Sequence, residues 1–424
     1  MDDRIDAVSA QSSTVAGVKP FTLSSFWLSS RPLRRTLDAL NAEGTARVVG
    51  GAVRNSILDK PPGDIDIATD LFPERVQRAA ERAGLSVRPT GIEHGTLTLI
   101  SDGIPFEVTT LREDVSTDGR HAIVKFTDDW ARDASRRDFT MNALYVDGEG
   151  NGTDYVGGYG DCVARRVRFI GDPIQRILED NLRILRFFRF HAGYGEGALD
   201  PSGLDAARAL KDTLPTLSAE RVLHELSKLL VSPGAPDVVD VMSSAGILAV
   251  TTGVPVDAGR YRALCAAVRV GGRPIDPALA FLALVGFNAA TFDDVAKRLR
   301  FSRRMRTRGL AALEAASHLP PQSVPHIRAL LYEHGAEAFT DGLMVAIAQG
   351  ADIVEPAILI GEARRWSKPR FPVGGHDLME MGASAGPQIG ERLRRLEAIW
   401  RDSDFTLSRD ALLALDKETR REGT

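Results

Sequence analysis

The chain has 424 residues, 43% hydrophobic and 26% charged, which is the composition of an ordinary globular protein with length for about two to four buried cores. A net charge of −4 excludes a globally basic nucleic-acid binder, so any such binding must rest on local basic patches. Two cysteines, Cys162 and Cys265, lack CxxC or Cys/His spacing, which excludes a disulfide framework and a zinc module.

No apolar run approaches the ~20 residues that span a bilayer. The opening Met1-Asp2-Asp3-Arg4 is too acidic for a transit peptide and lacks a signal peptide's apolar centre, so the expected compartment is the reducing cytoplasm.

In chain order, residues 1–22 are polar and aperiodic and read as a loose arm. Residues 46–49 form a short β-prone run that ends in Gly50-Gly51, and 52–59 reads as helix. A strand is expected at 64–68, then a helix at 73–83, opened by Pro73 and closed by Gly84. Segments 96–100 and 105–110 have strand patterning. After about residue 172 the pattern is helical: Ile174, Ile177, Leu178, Leu182, Leu185 and Phe188 predict a single apolar helix stripe. Helices are also expected at 219–230, 276–285 and 390–400. The outcome is a small α/β head on a long helical body.

Four segments concentrate chemistry. In a strand Asp64 and Asp66 share a face while Ile65 and Ile67 take the other. Such a carboxylate pair is either a solvated strand edge or a site for a hard divalent cation. Gly50-Gly51 stands just upstream between strand and helix. Gly51 lets backbone approach a phosphate and Arg54 lies one turn on, although an ordinary glycine turn reads the same way. Glu107, alternating with Phe106 and Val108, is a third carboxylate near the pair if its strand neighbours theirs, and otherwise a surface group.

Arg136, Arg137, Asp138 and Asn142 gather charge that pairs internally or with a ligand. Asp180 and Arg183, three apart on the expected helix, form a surface salt bridge or a ligand-reading pair. Seven arginines against three acids over 165–189 exceed simple mutual pairing.

Gly50-Gly51-Ala52-Val53-Arg54, Asp64-Ile65-Asp66, the run from Arg136-Arg137-Asp138 to Asn142-Ala143, and Glu179-Asp180-Asn181-Leu182-Arg183 occur in one order. In that order the chain resembles the class II tRNA nucleotidyltransferases, the CCA-adding enzymes, whose close relatives include bacterial poly(A) polymerases. Weaker likeness continues through Ser218-Ala219-Glu220-Arg221 and Gly375-His376-Asp377-Leu378. One departure is Asn55, where the family usually has aspartate; its expected consequence is for local helix capping rather than activity.

The resemblance implies an α+β fold: an N-terminal nucleotidyltransferase α/β head followed by an elongated all-helical body. The expected division is a flexible arm at 1–22, the catalytic head at 23–150, a nucleotide-selecting neck at 151–250, a helical body at 251–360 and a tRNA-binding helical tail at 361–424. It implies CCA addition to tRNA from CTP and ATP, with Asp64 and Asp66 holding Mg2+ and Glu107 beside them. Gly51 and Arg54 would grip the triphosphate, and Arg136, Arg137, Asp138 and Asn142 would hold ribose or phosphate. Arg186 and Arg189 match positions for nucleotide or primer contact.

Asp180 and Arg183 would read the base. A carboxylate only accepts and a guanidinium only donates, which suits the amino donor and ring-nitrogen acceptor shared by cytosine and adenine. Uracil and guanine present the reverse pattern and would leave buried groups unpaired. The loop at 111–129, with Asp118, Gly119 and Arg120, is expected to reorganise between C and A addition. For tRNA docking, 297–308 carries seven basic residues and no acid, and Trp366 with Arg364, Arg365, Lys368 and Arg370 is a second candidate. The competing readings are a poly(A) polymerase and, from another class, an RNA-binding protein with an inactive head; no obligatory protein partner is evident.

Overall fold

The computed structural model describes residues 18–117, 122–319, 323–384 and 386–422. Two compact units divide the chain, Met1–Thr251 and Thr252–Thr424.

The first unit is built on an eight-stranded sheet. Its strands are β1 (Lys19–Thr22), β2 (Ala46–Val49), β3 (Asp66–Thr69), β4 (Ser86–Gly91), β5 (Thr96–Ser101), β6 (Ile104–Thr110), β9 (Leu144–Val146) and β10 (Asn151–Asp154). They lie in the order β1-β10-β9-β2-β3-β6-β5-β4, while β7 (Arg112–Thr117) and β8 (Ala122–Phe126) form a separate hairpin. Every neighbouring pair in the large sheet is antiparallel except β3 and β6. Asp66 therefore stands directly beside Glu107 in register.

Alternation accounts for β6: Phe106, Val108 and Thr110 are buried while Glu107 is exposed on the other face. Helices Arg31–Asn41 and Pro73–Arg82 pack on each other and on β5. They bury Leu33, Leu37 and Leu40 from the first and Val76, Ala79 and Ala80 from the second, at three- and four-residue steps. Each such leucine contributes about 1.5–3 kcal/mol on burial. Pro73 occupies the first turn with Glu74 beside it, and Gly84 follows the helix at φ 65°.

Beyond Asp154 the elements of this unit are helical, and an aromatic cluster fixes them to the sheet region. Phe139 lies 5.0 Å from both Phe169 and Phe190, ring centre to ring centre, and Phe169 stacks on Phe187 at 5.4 Å. The segment around Arg136 is thereby seated against helix Arg183–Tyr194.

Three expectations are corrected. Lys19–Thr22 is not part of a loose arm but an edge strand paired with β10; residues 1–17 lie outside the described residues. The pairing partner is more than a hundred residues away, so local polarity hid it. The sheet continues to Asp154, past the head boundary expected at 150. The apolar stripe from Ile174 to Phe188 is two helices, Pro173–Glu179 and Arg183–Tyr194, with Ile174 and Leu178 about half exposed.

The second unit is helical. Pro277–Leu284, with Asp276 as its N-cap, is buried along nearly its whole length, and Pro387–Asp402 includes the expected helix at 390–400. Val324–Ala348 is interrupted at Gly335, whose φ is 79°. Near the C-terminus Tyr332, Val373, Leu378, Leu396, Trp400 and Leu412 form a small core. Trp366 packs against that core, partly buried and 5.8 Å from Phe405. Among the described residues no single helix is long and apolar enough to cross a membrane.

Candidate active site

The glycine turn comes first. β2 ends at Val49, and Gly50 takes φ 79° and ψ −122°, which a side chain would strain. The chain then enters helix Gly51–Ile57, which directs Arg54 inward until only 5% of it is exposed. Its guanidinium donates to Asn142 Oδ1 and lies 3.9 Å over the Tyr194 ring. Asn55 does not cap this helix. Its Oδ1 accepts from Arg54 at 2.9 Å and its Nδ2 donates to the Pro61 carbonyl at 2.9 Å. An aspartate could serve Arg54 but could not donate to Pro61.

The carboxylates follow. Asp66 opens β3, whereas Asp64 lies in the turn before it, after Gly63 at φ 71°, so the strand starts two residues later than expected. Desolvation in the cleft pushes the Asp66 carboxyl up to about 6; Glu107 and Asp64 add to the shift and Arg137 opposes it. Among the described residues Asp64, Asp66 and Glu107 make no ion pair. Nor, among those residues, does any trio of His, Cys, Asp or Glu stand at ligating distances. Three carboxylates without an ion-pair partner among the described residues nevertheless fit a hard divalent cation in chemical type.

The arginine cluster is organised by Asp133, which is 1% exposed within helix Trp130–Ser135. One of its oxygens accepts from Arg136 at 2.7 and 2.9 Å. The other accepts from Arg137 at 3.1 Å and from the Tyr145 hydroxyl at 2.7 Å. Burial opposes ionisation of Asp133, but Arg137, Arg136 and Tyr145 outweigh it and hold the carboxyl at about 2.

Asp138 is likewise at about 2: burial is overcome by Arg186, Asn142 and the Phe139 amide. Its Oδ1 accepts from Asn142 Nδ2 at 3.0 Å and its Oδ2 from Arg186 Nε at 2.9 Å. Buried Glu225 in turn takes Arg189 at 2.5 Å and Arg186 at 3.7 Å. A continuous chain thus runs from Arg54 through Asn142, Asp138 and Arg186 to Glu225 and Arg189. Asp138 spends its oxygens inside this network.

Asp180 and Arg183 do not share a helix face. Asp180 caps the end of Pro173–Glu179 in an extended conformation (φ −152°, ψ 105°), and Arg183 is the first residue of the next helix. They do not pair with each other either. Arg183 bonds Glu179 at 2.6 Å and the Arg176 carbonyl at 2.9 Å. Asp180 accepts from Arg221 at 2.8 and 3.0 Å and from the Leu182 amide at 3.1 Å.

All these elements converge on one cleft of about 450 Å3. It is lined by Gly51, Arg54, Asp66, Arg136, Arg137, Asp138, Asn142, Asp180, Arg183 and Arg186, together with Gly50 and Phe190. Asp64, Glu107 and Arg189 are not part of this lining. Sequence reasoning missed Asp133, Glu225 and Tyr194, and named Arg221 only within the Ser218-Ala219-Glu220-Arg221 likeness, with no role. The spacing of Asp133 three and four residues before Arg136 and Arg137 could have revealed the first.

The 111–129 segment is a hairpin at its base, β7 and β8. Glu113 anchors it to Arg132 at 2.6 Å, and Phe126 packs edge-on against Phe72. Asp118, Gly119 and Arg120 lie outside the described residues. In the second unit the basic run is largely neutralised by acids outside it. Asp293 takes Lys297 and Arg306, and Asp341 takes Arg308. Arg303 and Arg304 remain exposed.

A glycine turn, a carboxylate edge and an arginine-lined cleft at the end of a mixed sheet define a nucleotidyltransferase head. Residues 46–168 match the Poly A polymerase head domain, and residues 198–251 match the probable RNA and SrmB-binding site of polymerase A. The zebrafish (Danio rerio) mitochondrial CCA tRNA nucleotidyltransferase 1 is 37% identical, covering 87% of this chain and 86% of that protein. The CCA-adding enzyme of Levilactobacillus brevis is 30% identical, covering 87% and 92%. The crystal structure of the Bacillus stearothermophilus CCA-adding enzyme in complex with CTP superposes with a TM-score of 0.76 at 28% identity, covering 93% of this chain and 98% of that one. The chain belongs to the CCA tRNA nucleotidyltransferase family, whose members generally use divalent metal ions.

Proposed function

We propose that the enzyme adds C, C and A in turn to the 3′ end of tRNA from CTP and ATP, without a nucleic-acid template. The observation that carries the reading is the single cleft: Arg54, Arg136 and Arg137 supply cations for a triphosphate, and Asp180 with Arg183 supplies an acceptor and a donor for a base. The relatives are named for CCA addition, which favours it over poly(A) synthesis. Both cysteines are free of disulfides, which supports a reducing compartment such as the cytoplasm, although the zebrafish relative's name is mitochondrial.

In the reaction the RNA 3′-oxygen bonds to the α-phosphorus as the α–β bridging bond breaks, so pyrophosphate departs with that electron pair and the hydroxyl proton is released to solvent. Asp64 and Asp66, with Glu107 beside them, would hold Mg2+, which supplies Lewis-acid activation of the hydroxyl and charge neutralisation on the leaving group. The chain's own part is positioning. Asp133 presents Arg136 and Arg137 in fixed orientations, and Asn142 fixes Arg54. Charge is thereby met by preorganised donors rather than by mobile ones. Asp138 and the Phe190 ring, 5.2 Å away, hold Arg186 at the cleft wall. Purified protein given tRNA lacking its 3′ end, Mg2+ and each labelled nucleotide tests the reading: CTP and ATP are incorporated, whereas UTP and GTP are not.

A further inference from the structure

The base-reading role of Asp180 demands that its carboxylate keep one orientation, and its own backbone does not provide that. Asp180 lies in the three-residue break between helices Pro173–Glu179 and Arg183–Tyr194, in an extended conformation, with its carbonyl accepting from the Arg183 amide at 2.9 Å. A carboxylate there can turn about two side-chain bonds. Arg183 gives no restraint, because it is bonded to Glu179.

The restraint comes from Arg221, 41 residues further along, in the first turn of helix Ala219–Leu230. One of its guanidinium nitrogens, Nη2, donates to Asp180 Oδ1 at 3.0 Å and to Oδ2 at 2.8 Å. The Leu182 amide donates to Oδ1 at 3.1 Å. Two donors from different directions fix the carboxylate plane. A carboxylate has about four acceptor positions. Oδ1 is served by two donors and Oδ2 by one, so an acceptor position is left on Oδ2. Arg221 also lies outside the cleft lining, which includes Asp180 but not Arg221.

We propose that Arg221 is a specificity-determining positioning residue: it aims Asp180 so that Oδ2 accepts the exocyclic amino group common to cytosine and adenine. The inference rests on the base-reading role of Asp180 given above. It adds that selection depends on a third side chain that itself touches no nucleotide. The pair also screens the Asp180 charge from the incoming triphosphate, since both side chains are only about 30% exposed.

The test is steady-state incorporation of all four nucleotides into tRNA lacking its 3′ end, by Arg221→Gln, Arg221→Lys, Asp180→Ala and the Asp180→Ala/Arg221→Gln double variant. Arg221→Gln should lower kcat/KM for CTP and ATP and shrink their ratio to UTP and GTP by about 10- to 100-fold, as expected when the polar group that reads the base loses its aim. Arg221→Lys, which keeps the charge, should restore part of that ratio. In the Asp180→Ala background Arg221→Gln should change the ratio no further, because the group it aims is gone.

A merely structural role would lower all four nucleotides by one factor, or raise the KM for tRNA alone, with the ratio untouched. Either result overturns the proposal, as does full additivity in the double variant. Wild-type selection in Asp180→Ala would instead remove the base-reading role itself, which separates the two failures.

Discussion

Asp138 accepts a hydrogen bond from Arg186 at 2.9 Å across 48 residues of chain, and so ties the segment that leads into β9 to the helix that begins with Arg183. Both oxygens of Asp138 are engaged, and 9% of the residue is exposed. Asp138→Asn should cost about 2–3 kcal/mol of unfolding free energy at neutral pH by removing the nearer of the two anions on Arg186, with only Glu225 at 3.7 Å remaining. The pH dependence follows in sign. Asp133 and Asp138 have folded pKa values of about 2 against an ordinary 3.8. Their stabilisation is therefore fully present above about pH 4 and is lost as pH falls toward 2, on the order of 2 kcal/mol for each. Urea unfolding of wild type and Asp138→Asn across that range checks both statements: the acid slope should be shallower in the variant.

Asp66→Ala and Asp64→Ala should each abolish incorporation while leaving tRNA affinity near wild type. Asp66 sits in register with Glu107, whose charge adds to the upward shift of the Asp66 carboxyl, and Arg137 offsets only part of it. Removing one ligand of a catalytic cation costs several kcal/mol of transition-state stabilisation, and Glu107→Ala should cost less. Single-turnover assays beside tRNA binding measure this. Near-normal turnover in either aspartate variant would take it out of the metal site.

Arg54→Lys should raise the KM for CTP and for ATP by similar factors, about 10-fold or more, with little change in selection between them. The lysine keeps the charge but loses the planar contact over Tyr194 and the fork that reaches Asn142 and Asn55. A change confined to one nucleotide would assign Arg54 to base reading instead of phosphate binding.

Replacing Arg303 and Arg304 with alanine should raise the KM for tRNA and leave that for CTP unchanged. Their neighbours Arg306 and Arg308 are held by Asp293 and Asp341, whereas Arg303 and Arg304 are exposed for binding phosphate. The log–log salt slope of tRNA binding should become shallower by about 0.7–0.9 for each arginine–phosphate pairing removed. An unchanged slope would place this surface away from the RNA.

The parts of the site that rest on local rules were legible in the sequence. The Gly50-Gly51 turn follows from a strand ending in glycines, and the alternation about Glu107 follows from the two-residue strand period. The helix break at Asp180 was not legible, because Ile177, Leu182 and Leu185 keep nearly helical spacing across it. Nor were Arg221 on Asp180 or Glu225 between Arg186 and Arg189, since those pairs join residues 36 to 41 positions apart. The edge strand Lys19–Thr22 was hidden for the same reason: its stabilising partner, β10, is distant in sequence. Long-range polar pairing leaves no local pattern to read.

The product made on tRNA lacking its 3′ end tests the central claim most directly. An Asp180 and Arg183 site that reads the amino-bearing edge accepts both C and A, and the order then depends on how the growing end reshapes the pocket. Sequencing the products made with all four nucleotides, on that tRNA and on an unrelated RNA, separates the alternatives. The account predicts C, C and A on tRNA, then a stop, with little extension of the unrelated RNA. Long A tracts on the unrelated RNA, with poor use of CTP, would contradict it.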